Sequence, residues 1–214
     1  MSAHGLAYER WADREWMLRI GGDGAPILFV PPLFEEMNRT RAFMASVMRA
    51  LARNGRPCLL PDLPGTGESE RDLESVEWQE WCAAIGELAK GAIATVSIRG
   101  GCLLDDNAGA IPAWRLAPVE GASLIRDLER SGMVGGGGSA GYDPAPGLIA
   151  ALRAASPAER SGTRVVRLAS DRGPADRKVD GPPLWRRSEP QNSPELAALI
   201  ASDIEEWIRQ CGIC

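Results

Sequence analysis

Lysine is almost missing from this 214-residue chain: Lys90 and Lys178 stand alone, and arginine carries the rest of the positive charge. That imbalance reads as GC-rich coding bias rather than as a function. Positive charge is also the minority sign, with 24 Lys and Arg against 29 Asp and Glu, a net charge of −5 and a pI near 5.1. This excludes the basic footprint by which nucleic-acid proteins hold phosphate backbones. Histidine occurs once, as His4. Long apolar runs are absent. A bilayer span needs about 18 apolar residues, and the longest candidate, Ala25 to Phe34, is short and carries Pro26, Pro31 and Pro32. Met1-Ser2-Ala3-His4 leads into polar residues without the apolar core of a signal peptide. A cytoplasmic protein without a membrane span is therefore expected.

Cysteine is sparse and odd in number, with five at positions 58, 82, 102, 211 and 214. Without a secretion signal this does not make a disulfide framework. Cys211-Gly212-Ile213-Cys214 is a C-x-x-C at the end of the chain, away from the helix N-terminus that would lower a thiol pKa. One such pair, with no second pair and no nearby histidine, falls short of a zinc site. Neither a metal nor a cofactor is expected.

What is present describes an ordinary globular protein, 44% hydrophobic and 25% charged. The length fits one domain, residues 1–214, which at this size buries around 70% of its extended surface. Leu6 to Ile20 suits one or two short strands. Pro26 to Val30 is a continuous apolar run, read as a buried strand of a mostly parallel sheet, and Pro31-Pro32 ends it. Thr40 to Asn54 carries Phe43, Val47, Met48 and Leu51 on one helical face. Pro57 to Leu60 is a second buried strand, followed by a turn-rich loop from Asp62 to Ser69. Ser75 to Leu88 is helical, Ala92 to Ile98 a third strand, and Gly100-Gly101 a sharp turn into a short helix through Leu104. Pro112 to Pro118 is a fourth strand and Glu120 to Gly132 a helix. Gly135 to Ser139 reads as a native flexible loop. Pro146 to Ala155 is a helix, Thr163 to Leu168 an alternating strand and Ser170 to Asp180 a loop. Pro194 to Cys211 is an amphipathic helix that Ser193 or Asn192 would cap. Strands alternating with helices point to an α/β sheet.

Three segments together resemble the α/β-hydrolases. Pro31-Pro32-Leu33-Phe34 follows the first buried strand, where that family has its oxyanion loop. Asp62-Leu63-Pro64-Gly65-Thr66-Gly67-Glu68-Ser69 is similar to the D-x-x-G-x-G-x-S loop of many hydrolases. Ser97-Ile98-Arg99-Gly100-Gly101 occupies the strand–turn–helix elbow. Phe29 to Arg41, Gly141-Tyr142-Asp143, and Gly181 to Trp185 with Glu189 resemble the exosortase A system-associated hydrolases of the second type. The similarity runs from about Ile27 to Trp207. It implies a mostly parallel sheet flanked by helices, a short cap-like insertion at about 119–145, and a bacterial setting alongside a protein-sorting and exopolysaccharide system.

The same resemblance implies a G-x-S-x-G elbow with a histidine base and an acid following in chain order. Arg99 stands where the serine should be, and a guanidinium, protonated at any working pH, is no nucleophile. The histidine position falls near Leu184-Trp185, and Trp185 cannot shuttle a proton. Asp171 alone fits the acid position. Three substitutes remain open. Cys102, in the first turn after the elbow, would gain from a helix dipole but lacks a base. Glu35 and Glu36 would do acid–base work if one pKa were raised, or one of them would pair with Arg99 and hold the site shut.

Two functions follow from different classes. In the first the protein is non-catalytic, and Arg99, Gly100, Gly101, Leu33 and Phe34 bind a small anion or an acidic group of a partner. In the second it is an ester or thioester hydrolase in which Glu35, Glu36 or Asp171 activates water. A brief cap with an exposed apolar rim would in addition favour a homodimer.

Overall fold

The computed structural model describes residues 5–132 and 142–212. His4, Cys214 and Gly135–Ser139, expected to be a loop, lie outside these residues. Strands β1 (Leu6–Ala12) and β2 (Glu15–Ile20) form an antiparallel hairpin, so the opening segment gives two strands. β3 (Ile27–Val30), β4 (Cys58–Pro61), β5 (Ala94–Ile98), β6 (Ala113–Leu116), β7 (Thr163–Leu168) and β8 (Arg177–Val179) complete one eight-stranded sheet in the order β1-β2-β4-β3-β5-β6-β7-β8. From β4 to β8 every pairing is parallel.

Helices cover both faces. Each strand alternates its side chains between them, so Ile27 and Phe29 join one core while Leu28 and Val30 join the other. The first core is closed by α1 (Glu35–Arg53) and α5 (Pro194–Gln210), the second by α2 (Trp78–Ala89), α3 (Gly121–Arg130) and α4 (Pro146–Ala154). Burial on both faces is why β3 and β4 read as unbroken apolar runs.

Two elements differ from the sequence expectation. α1 begins at Glu35 rather than Thr40. Its first turn is polar, so no apolar period marks it, yet Glu35 and Glu36 suit the positive end of the helix dipole. β8 falls inside the stretch expected to be loop. Only three residues long and carrying Arg177 and Lys178, it takes its structure from pairing with β7.

Asp203 on α5 ties the C-terminal half together. Fully buried, it accepts from Trp114 Nε1 at 2.8 Å, from Arg164 Nε and Nη2 at 2.8 Å each, and from Arg177 Nη1 at 2.6 Å. One carboxylate thereby fixes β6, β7 and β8 against the helix. Ser193 caps α5, its hydroxyl accepting from Leu196 N at 3.3 Å.

Chain order reverses across β3, with β4 on one side and β5 on the other. Such switch points leave a crevice at the carboxyl ends of the strands, where open α/β sheets place their ligands. The β3–α1 loop and the turn after β5 both emerge there.

Candidate functional site

The turn after β5 is an elbow in geometry. Ile98 is extended, Arg99 has φ +53°, and the chain then winds through a 3-10 helix over Arg99–Leu103. A non-glycine residue in left-handed backbone costs about 1 kcal/mol, so surrounding contacts must hold Arg99 in place. Gly101 allows the close approach: a Cβ there would lie 2.5 Å from the carbonyl oxygens of Val30 and Pro31. Phe34 in the neighbouring β3–α1 loop is also left-handed, at φ +55°. Strain thus persists at both turns that build the crevice.

Arg99 is gripped from two sides. Its Nε donates to Glu36 Oε1 at 3.2 Å and Oε2 at 3.3 Å, and its Nη2 to Oε1 at 2.9 Å. Its guanidinium carbon lies 5.2 Å from the centroid of the Trp185 ring, a cation–π contact. α1 supplies both supports, because Arg39, one turn beyond Glu36, donates from Nη1 to the Trp185 carbonyl at 3.2 Å. Both charged side chains are nearly buried, 8% and 12% exposed, so the pair rests on geometry rather than on solvent. Burial pushes the Glu36 carboxyl up, and Arg99 only partly offsets it. Arg99 Nη1 has no hydrogen-bond partner among the described residues.

Asp171, the expected acid, has both carboxylate oxygens satisfied. Asp171 follows β7, accepting from Gly173 N at 2.9 Å and from Arg167 Nη1 at 2.7 Å. Against the cost of burial, that N–H and that guanidinium hold its carboxyl below the usual range. Arg99, Asp171 and Trp185, which the sequence expectation set at the serine, acid and histidine positions, all line one cleft of about 460 Å³. A second cleft of about 530 Å³ shares Arg99, Trp185 and Arg186 with the first and adds Glu35 and Glu36.

The other sequence candidates divide. Glu35 does not reach Arg99. It pairs with Arg39 at 3.6 Å and accepts from Asn38 Nδ2 at 3.2 Å, and the Tyr142 hydroxyl lies 3.5 Å away. Burial and the Glu35 charge push that hydroxyl up to about 12. Cys102 is corrected outright. It sits in a five-residue 3-10 turn, is fully buried, and burial with Asp105 nearby drives its thiol well above the ordinary value. No dipole activates it. Leu33, Phe34, Gly100 and Gly101 are buried and line neither cleft. Leu33 packs over Gly100, and the Phe34 ring meets Trp81 at 5.8 Å and Tyr142 at 5.3 Å. Large exposed hydrophobics among the described residues are Leu6, Tyr8 and Leu199, none of them at either cleft.

Sequence reading missed the arginines of the cleft wall, Arg167, Arg172 and Arg186. Arg167 occupies an alternate position of β7, and its guanidinium lies 2.8 Å from where a Gly173 Cβ would be. Arg172 lies in an irregular segment and Arg186 ends a three-residue 3-10 turn, both too short or irregular for a periodicity to encode side-chain direction. Among the described residues no group of three His, Cys, Asp or Glu is arranged to hold a metal, and no helix is long and apolar enough to cross a membrane.

The strand order, the elbow and the flanking helices are those of an α/β-hydrolase fold. Solved structures agree. Alpha/beta hydrolase domain-containing protein 10 from mouse matches with a TM-score of 0.63 at 12% identity, covering 97% of this chain and 99% of that one. A soluble variant of monoglyceride lipase from Saccharomyces cerevisiae, solved with a substrate analogue, gives a TM-score of 0.55 at 11% identity and covers 98% and 97%. A putative hydrolase from Agrobacterium vitis S4 gives 0.54 at 14% identity, with 96% and 98% covered. At such identities the likeness is one of fold. No family model matches the chain, and no curated protein matches it in sequence.

Proposed function

We propose that this protein is a non-catalytic member of the α/β-hydrolase fold whose former acyl-transfer site now recognises an anion, either a small molecule or an acidic group of a protein partner. One observation carries the reading: Arg99 at the nucleophile position is locked between the Glu36 carboxylate and the Trp185 ring. A guanidinium there cannot attack a carbonyl, and Trp185 cannot relay a proton. Among the described residues Asp171 meets no imidazole, and Arg167 takes its carboxylate. Arg99 still presents Nη1 to the crevice as a fixed positive donor. The resemblance of Phe29 to Arg41 supports a role beside a bacterial exosortase and exopolysaccharide system, in the cytoplasm.

The alternative is an ester or thioester hydrolase in which a carboxylate activates water. Glu36 is the group whose raised pKa favours it, but both its oxygens are engaged by Arg99. The test is a titration of wild type and Arg99→Met with carboxylate and phosphate ions, run beside a screen of chromogenic esters and thioesters. Anion binding that weakens at least about tenfold in Arg99→Met, with no turnover, supports the proposal. Turnover abolished by Glu35→Gln or Glu36→Gln overturns it.

A further inference from the structure

Four arginines and two carboxylates line the 460 Å³ cleft of a chain whose net charge is −5. The carboxylates do not cancel the arginines evenly. Arg167 is matched by Asp171, and Arg99 by Glu36 behind it. Arg172 and Arg186 have no hydrogen bond or ion pair to their side chains among the described residues, and both are exposed at the cleft. Glu120, the remaining carboxylate of the wall, stands exposed at the residue preceding α3. The floor and one wall thus offer Arg99 Nη1, Arg167 Nη2 and two whole guanidinium groups without internal acceptors.

We infer that this cleft binds a phosphate monoester as its dianion. The inference rests on the anion-recognition reading above and names the ligand class for that site. One arginine fork already satisfies both oxygens of a carboxylate. Several separate guanidinium groups around one cleft suit instead the three outer oxygens and roughly two negative charges of a phosphoryl group at neutral pH. The two unmatched guanidinium groups outweigh the one unmatched carboxylate, Glu120, so the wall keeps net positive charge for an anion. The cleft volume lies in the ordinary range for a small-molecule site, about 300–1,000 Å³, and exceeds what inorganic phosphate fills. The ester's organic part has a continuous path, because the second cleft shares Arg99, Trp185 and Arg186 with the first. Arg99, Trp185 and Arg186 stand where the two meet. Phosphoryl oxygens therefore face Arg172 and Arg186, and the organic group passes over Arg99 and Trp185 towards Leu124 and Leu128 of α3.

Calorimetric titration at about pH 7.5, where a phosphate monoester is nearly fully dianionic, compares glycerol 3-phosphate, inorganic phosphate and acetate at equal ionic strength. Co-sedimentation with phosphatidic acid vesicles reads whether the same headgroup is taken from a lipid surface. Arg172→Ala and Arg186→Ala are the variants, both at exposed positions that leave the core intact. Expected is binding of glycerol 3-phosphate or of the vesicles at least tenfold tighter than acetate, weakened by about tenfold in each variant. Binding of neither phosphate form overturns the inference, as does binding that both variants leave unchanged. Acetate bound as tightly as phosphate, and lost in Arg99→Met, overturns the phosphate assignment while leaving anion recognition standing.

Discussion

Replacing Arg99 by Met keeps the aliphatic stem and removes the charge. The Glu36 carboxylate would then be left in the core, 12% exposed, with its partner gone. Breaking a buried pair from one side costs about 3–5 kcal/mol. For a chain of this length that lowers Tm by roughly 6–20 °C, at about 2–4 °C per kcal/mol. The pH dependence has a definite sign. Burial already raises the Glu36 carboxyl, and removing Arg99 takes away the group that offsets it. A carboxyl raised in the folded state holds its proton above the unfolded value, so stability is greater at low pH and falls as pH rises through the folded pKa. The loss in Arg99→Met is therefore largest at about pH 8 and shrinks towards pH 5, by at most about 1.4 kcal/mol per unit. Urea denaturation at both values measures it, and Arg99→Met/Glu36→Leu, which removes both charges, recovers most of the loss. A single variant within about 0.5 kcal/mol of wild type at pH 8, or a loss independent of pH, would refute the buried clamp.

Other expectations follow from the fold. Asp203→Ala strips the acceptor from Trp114 and two arginines, costing about 3–5 kcal/mol in urea denaturation. Ser193→Ala removes the cap of α5 and costs about 1 kcal/mol, read as a Tm lower by roughly 2–4 °C. Native protein treated with iodoacetamide labels exposed Cys211 within the time that leaves buried Cys102 and Cys58 unmodified by mass spectrometry; rapid labelling of Cys102 would contradict its raised thiol pKa.

Much of the fold was legible because the buried strands announce themselves. Ile27 to Val30 is apolar on both faces, Ala94 to Ile98 is buried throughout with Thr95 and Ser97 its only polar residues, and the helical stripes of α1 and α5 repeat at the helix period. β8 was not, since three residues with two charges make no pattern until β7 supplies hydrogen bonds. At the site, Arg99 was legible from its place in the elbow, and a carboxylate partner from Glu35-Glu36. Which of the two pairs with it is a matter of helical phase. Starting α1 at Glu35 turns Glu36 inwards to Arg99, while Glu35 faces Asn38 and Arg39. The buried pair Arg115–Asp105, at 2.6 Å, was invisible for the opposite reason: its two members come from different elements with no local signature.

The measurement nearest the central claim is hydrolysis itself. Wild type and Arg99→Met are incubated with a panel of chromogenic esters and thioesters, and rates are followed against substrate concentration. If Arg99 is the clamped guanidinium at the nucleophile position that we propose, both proteins give the same non-saturating background. Saturable turnover by wild type, abolished by Glu36→Gln, would contradict the account.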